Sequence, residues 1–360
     1  MKSRAVALLA ALLSVATVGA RADDGAALEQ VRPGVWAALQ PEPLRFEDSN
    51  SIVIVSDTDV VVVDSQANPA TSRTLIDRIR DLTDKPVRYL INTHFHSDHT
   101  RANFVYRDAF PGLEIVGHPT LIEDIPARSA SDLEQEIELY RREIPAGEER
   151  LARGVDRAGG ALDEAGKATL ADQIRSARNF LGELEAVRWE TPSLDPGDGM
   201  TLHRTVGSIE IRPVHAHTRG DLIVHLPDAG VLVTGDVLDD LPFGGHGYPG
   251  DWIDVLTRLE GLEWDLLIPG HGRLRRGEEA RAHLARVRAL FELMLSSAQN
   301  AVASELDLDA ASIEFLESQA LEPFRTDLVA GDPVAARAFD DFVPAGFERA
   351  FLEVSGRLPD

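Results

Sequence analysis

The sequence predicts an α/β fold: two β-sheets face to face with helices on both outer surfaces, a four-layer αββα sandwich. To this it adds an inserted helical hairpin and a helical carboxy-terminal extension. Three observations carry the prediction. Strand-like apolar runs alternate with amphipathic helices before residue 120, and the alternation returns from 187 to 290. Between the two halves, helix-period stripes replace strand periodicity. The 360 residues are 44% apolar, enough for a large core.

At the amino terminus, Lys2 and Arg4 precede an apolar run over 5–18 and the small-residue site Ala20-Arg21-Ala22. This is the pattern of a secretory signal, with cleavage after Ala22 and a periplasmic or secreted product. The run is too short to span a bilayer, so stable membrane insertion is not expected. A polar leader over 23–30 follows. Residues 34–37 and 51–55 read as strands, Asp57-Thr58-Asp59 as a turn, and Val60 to Val63 as a buried strand that ends at Asp64. Residues 70–82 place Leu75, Ile79 and Leu82 on one helical face, with Thr71 or Ser72 near the start. Residues 87–92 form a strand, Asn103, Phe104 and Tyr106 begin a helix, and 113–116 form a strand that leads to His118.

From about 128 to 185 the pattern changes. Leu133, Ile137, Tyr140 and Ile144 form one stripe, and Leu170, Ile174, Ala177 and Leu181 a second, separated by the Gly- and charge-rich stretch 154–166. A hairpin of two helices can serve as a lid, as the contact of a homo-oligomer, or as an elaboration of the fold. Strands are then expected at 186–189, 200–203, 209–213, 222–226 and 231–234, a helix at 277–305, and further short helices to 360. The organisation is thus a signal at 1–22, a domain at 23–275 and an extension at 276–360.

Charge and cysteine content exclude whole classes of function. There is no cysteine, so neither a disulfide, a thiolate ligand nor a thiol nucleophile can operate. Without Lys2, Arg4 and Arg21, 33 basic residues face 60 acidic ones, a net charge of −27. Such a surface repels phosphate backbones, which argues for a small-molecule substrate and no nucleic-acid partner.

The densest chemistry lies directly after the 87–92 strand, in Thr93-His94-Phe95-His96-Ser97-Asp98-His99-Thr100. Imidazole nitrogen and carboxylate oxygen are the ordinary ligands of zinc. Residues i and i+2 at a strand end share a side, so His94 and His96 can reach one ion, while Asp98 and His99 lie beyond the turn. Three further candidates each follow an apolar strand-like run: His217 in His-Ala-His-Thr-Arg-Gly-Asp, Asp236 in Thr-Gly-Asp, and His271 in Pro-Gly-His-Gly.

This ordered set, His94-x-His96-x-Asp98-His99 followed by His217, Asp236 and His271, resembles the five-motif signature of the metallo-β-lactamase superfamily over roughly residues 31–275. The resemblance implies two Zn2+ per chain. His94, His96 and His217 would hold one, Asp98, His99 and His271 the other, and Asp236 would bridge them. It implies hydrolysis by a hydroxide shared between the metals, with Asp98 as the catalytic residue that orients it, at an ester, thioester, lactone or β-lactam bond. Asp64 corresponds to an acid that supports the ligands from behind. Flavodiiron-type relatives carry an acid where His96 stands, which argues against oxygen or nitric oxide reduction. The alternative is a catalytically inactive module that uses the same fold to bind metal or a partner.

Phe243, His246 and Tyr248, in the Gly-rich stretch 241–249, are the candidate substrate-binding residues. Of the remaining histidines, His118 and His203 read as structural, His225 as partly buried, and His283 as solvated on a charged helix. His215 has the opposite strand parity to His217.

Overall fold

A computed structural model describes residues 26–359; the export signal read at 1–22 lies outside them. The layers follow from side-chain alternation in the strands. β1 (Ala27–Arg32), β2 (Val35–Leu39), β3 (Ser51–Val55), β4 (Val60–Val63), β5 (Val87–Ile91) and β6 (Glu114–Val116) form one sheet in chain order. β7 (Met200–Arg204), β8 (Gly207–Val214), β9 (Asp221–Leu226), β10 (Val231–Gly235), β11 (Leu266–Pro269) and β12 (Arg275–Arg276) form the second, also in chain order. Among the named strands, β4–β5, β5–β6 and β10–β11 pair in parallel and the others antiparallel.

Successive β residues point to opposite faces, so a strand between two apolar layers must be apolar throughout. β4 shows this. Val61 and Val63 join Ile209, Val224 and Ile268 between the sheets. Val60 and Val62 face outward to Leu75, Ile76 and Ile79 of helix α1 (Pro69–Leu82). Helix α2 (Ser97–Thr100) lies in the metal-ligand stretch, and α3 (Asn103–Ala109) adds Phe104, Val105 and Tyr106 to the outer layer.

The insertion begins with α4 (Leu121–Asp124) and a π-helical turn, Ile125–Ser129, and continues as α5 (Ala130–Arg153) and α6 (Glu164–Glu185). The two long helices pack on each other. Tyr140 meets Phe180 edge-on at 5.5 Å, and Ile174 closes over Gly147. The base of the hairpin is tied to the loop after β5: Ser129 Oγ donates to the Phe95 carbonyl at 2.9 Å, and Arg101 pairs with Glu136 at 2.7 Å, both nearly buried.

Beyond the second sheet lie α7 (Pro249–Glu260), α8 (Gly277–Ala303), α9 (Leu308–Leu316), α10 (Glu322–Val329) and α11 (Pro333–Val354). Their apolar faces share one core with that sheet, in which Trp252 lies 4.3 Å from Phe291 and Phe315 stacks on Phe347 at 4.3 Å.

Several sequence expectations need correction. The polar leader contains β1, an edge strand whose outer face is solvated, so it carries few apolar residues to mark it. Residues 186–189 are not a strand. They follow α6 as a turn and irregular chain, and Trp189 packs on Phe95, Leu121 and Ile125 instead of a ladder. Thr71 and Ser72 lie in the first turn of α1, as expected, and Asn68 caps the helix, accepting from the Ala70 amide ahead of Pro69. Residues 333–354 form a 22-residue helix, not a short one.

Candidate metal centre

Every candidate ligand leaves the carboxy-terminal end of a strand. His94, His96, Asp98 and His99 follow β5, His217 follows β8, Asp236 follows β10, and His271 follows β11. Two groups of donor atoms result. In the first, His96 Nδ1 lies 2.9 Å from His94 Nε2 and 3.1 Å from His217 Nε2. Asp236 Oδ2 is 3.6 Å from His94 Nε2 and 3.5 Å from His217 Nε2. In the second, His271 Nε2 is 2.9 Å from Asp98 Oδ2 and 3.3 Å from His99 Nε2. Asp236 also reaches this group, with Oδ1 3.1 Å from His99 Nε2 and Oδ2 3.6 Å from His271 Nε2. One carboxylate therefore stands between two sets of donors.

The nitrogens turned away from the centre explain how the rings are aimed. An imidazole that uses one nitrogen as a donor presents the lone pair of the other. His99 Nδ1 donates to Asp64 Oδ2 at 2.8 Å, and His271 Nδ1 to the Arg45 carbonyl at 3.2 Å. His94 Nδ1 is 3.1 Å from Thr93 Oγ1, and His96 Nε2 is 2.7 Å from His246 Nδ1. Asp64 also accepts from the Thr93 amide and hydroxyl, both at 2.8 Å. It sits at φ 60°, a conformation that Asp tolerates better than most residues.

Electrostatics separate the two groups. Burial, reinforced by neighbouring imidazoles, holds His94 and His96 well below the ordinary histidine range and His217 at about 4, so these three are neutral. Burial would also lower His99 and His271, but their carboxylates prevail. Asp236, Asp64 and Asp98 hold His99 well above its usual value; Asp236, Asp98 and Asp239 raise His271 to about 10. Asp98 is pulled well below the carboxylate range by His99 and His271, against its own burial.

The donor set fits metal ions. One nitrogen each of His94, His96 and His217 and an oxygen of Asp236 lie within 4.8 Å of one another, a donor set of the kind that holds a divalent cation. Asp236 Oδ1 is buried with no hydrogen-bond partner among the described residues. A Cβ on Gly270 would overlap Asp236 Oδ1, so only glycine leaves this carboxylate its place.

Phe243 lies 6.2 Å from the His96 ring and 6.3 Å from the His217 ring, beside His246. Tyr248 lies against His215, with ring centroids 3.8 Å apart and planes tilted by 38°, while His215 Nδ1 pairs with Asp251 at 2.7 Å. His225 is buried, as its mid-strand position implies, and is held by Glu210 and the Glu263 carbonyl.

His283 is a correction. It is buried, not solvated, and Nε2 donates to the Asp239 carbonyl at 2.7 Å. The Asp239 carboxylate in turn accepts from the His271 amide at 2.8 Å.

Other supports escaped the sequence reading. Asp221 accepts from the Ala216 and Thr218 amides and the Thr218 hydroxyl, which fixes the turn that carries His217. Burial raises its carboxyl to about 7. Asn50 Nδ2 bridges the carbonyls of Pro269 and Gly272 on either side of His271. The four-residue offset between His217 and Asp221 was the one available signal for the first; Asn50 offered none.

Fold and site together define an αββα sandwich with a histidine–aspartate cluster that could hold metal at the strand ends. The chain belongs to the metallo-beta-lactamase superfamily, whose family model matches residues 44–271. It is 24% identical over 320 residues to the 2,4-dinitroanisole O-demethylase subunit alpha of Nocardioides sp. (strain JS1661), covering 86% of this chain and 76% of that protein. It is 23% identical over 236 residues to a linear primary-alkylsulfatase of Pseudomonas sp. (strain ATCC 19151), covering 61% of this chain and only 40% of the relative. Among solved structures, the stereoselective inverting sec-alkylsulfatase Pisa1 from Pseudomonas sp. shares the fold. The TM-score is 0.62 at 15% identity, over 91% of this chain and 50% of that one. Among the described residues, no helix is long and apolar enough to cross a membrane.

Proposed function

We propose that the chain is a dinuclear zinc hydrolase that cleaves an ester-type bond in a small molecule. One observation carries the reading: Asp236 stands within 3.6 Å of imidazole nitrogens in both donor groups. His94, His96 and His217 would hold one ion, Asp98, His99 and His271 the other, with Asp236 between them. Two zinc ions would supply a water of pKa about 7 and a positive counter-charge for the leaving group. Asp98, held ionised by His99 and His271 and with about a quarter of its side chain still exposed, would accept a hydrogen bond from that water and orient it. Phe243 and Phe95 wall the cluster and limit the access of bulk water. Ester, thioester, lactone and β-lactam bonds all suit this chemistry. The names of the relatives, an alkylsulfatase and an O-demethylase, are in keeping with an oxygen-linked leaving group.

Elemental analysis after zinc reconstitution should give two ions per chain, together with turnover on a panel of esters, thioesters, lactones, lactams and sulfate esters. One ion or none would defeat the dinuclear reading. The two ions should leave at different pH. Zinc at the Asp98 end competes with protons on His99 and His271, whose affinity for protons is raised, so this ion is lost first as pH falls. The other end, where burial disfavours protonation, should retain its ion to lower pH.

The hairpin offers a separate test. Replacing residues 145–178 with a short Gly/Ser linker should leave zinc content intact, because the Ser129 and Glu136 ties remain. Removing 128–187 cuts both ties and should lower zinc affinity. Mass measured in the same samples shows whether the hairpin joins two copies. Equal zinc affinity in both deletions would refute its bracing role.

A further inference from the structure

A cavity of about 100 Å³ opens beside the candidate metal centre, lined by Phe95, Arg128, Arg219, His246, Tyr248 and Arg349 among others. It is adjacent to the ligands, since His246 Nδ1 is 2.7 Å from His96 Nε2. Three guanidinium groups around one small cavity are unexpected in a chain of net charge −24.

The three are not equivalent. Arg219 is fully engaged, with two bonds to Asp124 at 2.9 and 2.8 Å and one to Glu123 at 2.9 Å. Arg128 shares the same Asp124 at 3.4 Å and lies over the Phe95 ring. Arg349 differs. Its Nε donates to the Gly247 carbonyl at 2.7 Å and its guanidinium lies over the Tyr248 ring, yet no carboxylate among the described residues comes within ion-pair distance. Glu353, one turn further along the same helix, attracts Arg349 electrostatically but accepts from the Gly250 amide at 3.1 Å and makes no ion-pair contact with it. Burial pulls the Arg349 guanidinium below its usual range, as expected for a cation half removed from water.

A half-buried cation with no ion-pair contact among the described residues is costly, and a planar guanidinium fork matches an oxyanion with two parallel hydrogen bonds. The helix that carries Arg349 is also held firmly against the site. Phe342 packs on Phe243 at 5.2 Å, and the backbones of Gly244 and Gly346 meet so closely that a Cβ on Gly244 would overlap Gly346.

We propose that this cavity is an oxyanion subsite, with Arg349 as its cation, and that substrates of the neighbouring centre carry a small anionic group such as sulfate, phosphate or carboxylate. Its assignment to the substrate rests on the hydrolase reading; the binding of the anion does not. α11, outside the matched family domain, thereby supplies the charge that selects the substrate.

The test is calorimetric titration of the full-length, zinc-loaded protein with sodium sulfate at constant ionic strength, with phosphate, acetate and chloride as parallel arms. Saturable binding of one oxyanion over chloride is expected, and the preferred arm identifies its class. Arg349→Met should weaken that affinity at least tenfold with melting temperature and zinc content unchanged. If the Met variant melts early, Arg349→Gln, which keeps a donor for Gly247 and removes the charge, takes its place in the comparison. Equal affinity in the variant, or chloride binding as well as sulfate, overturns the subsite. Absence of turnover on every substrate would count against the hydrolase reading while leaving the titration to stand alone.

Discussion

Asp236→Ala is expected to lower zinc content to one ion or fewer per chain and to reduce turnover by more than about 100-fold. The carboxylate is nearly buried, one oxygen has no hydrogen-bond partner, and both face histidine nitrogens. Its removal leaves four imidazoles without their shared counter-charge. His99 and His271, whose proton affinity Asp236 raises most, should become easier to deprotonate. His246→Ala is the informative comparison. It removes the partner of His96 Nε2 but no donor aimed at the centre, so zinc affinity should fall by about 10- to 100-fold and turnover by less than in Asp236→Ala. If His246→Ala abolished turnover of every substrate at full zinc content, His246 would be a proton donor to the leaving group. Plasma emission analysis alongside steady-state kinetics separates the cases.

The second large effect is expected at Asp64, which supports the cluster only through Thr93 and the outer nitrogen of His99. Its two oxygens accept three hydrogen bonds, from the Thr93 amide, the Thr93 hydroxyl and His99 Nδ1. Asp64→Ala leaves all three donors buried and unpaired and places alanine at φ 60°. Loss of a buried charged partner costs about 3–5 kcal/mol, and the left-handed backbone adds about 1–2 kcal/mol. Urea denaturation of the zinc-loaded protein should show a loss of that order. Zinc affinity should fall by about 10- to 100-fold, because His99 is no longer held with Nε2 toward the centre. Asp64→Asn, which keeps an acceptor, should lie between. A variant as stable and as zinc-avid as the parent would show that Asp64 merely ends β4.

Much of the cluster was legible because its chemistry is local in sequence. His94, His96, Asp98 and His99 fall within six residues, and His217, Asp236 and His271 each follow an apolar run that marks a strand end. The supports were harder to read. Asp221 and Asp239 look like ordinary turn acids until the turns they brace are placed, and His283 sits among charged residues on a helix whose buried face becomes visible only when α8 lies on the sheet. The solvated edge strand β1 and the unpaired segment 186–189 were misread because pairing depends on neighbours that local propensity does not reveal.

By itself, the sequence determined the layer order, the hairpin and the identity of the residues that converge at the strand ends. Periodicity and ligand chemistry are properties of short segments, and they survive without knowledge of what packs where. Only the tertiary structure decided which nitrogen each imidazole presents and that Asp236 faces both donor groups. It alone brought Arg349 beside a cavity whose other walls, Pro359 apart, lie more than 100 residues earlier in the chain. Those outcomes depend on contacts between distant segments, where an ångström separates a ligand from a bystander, and such distances are set by the packing of the whole sandwich.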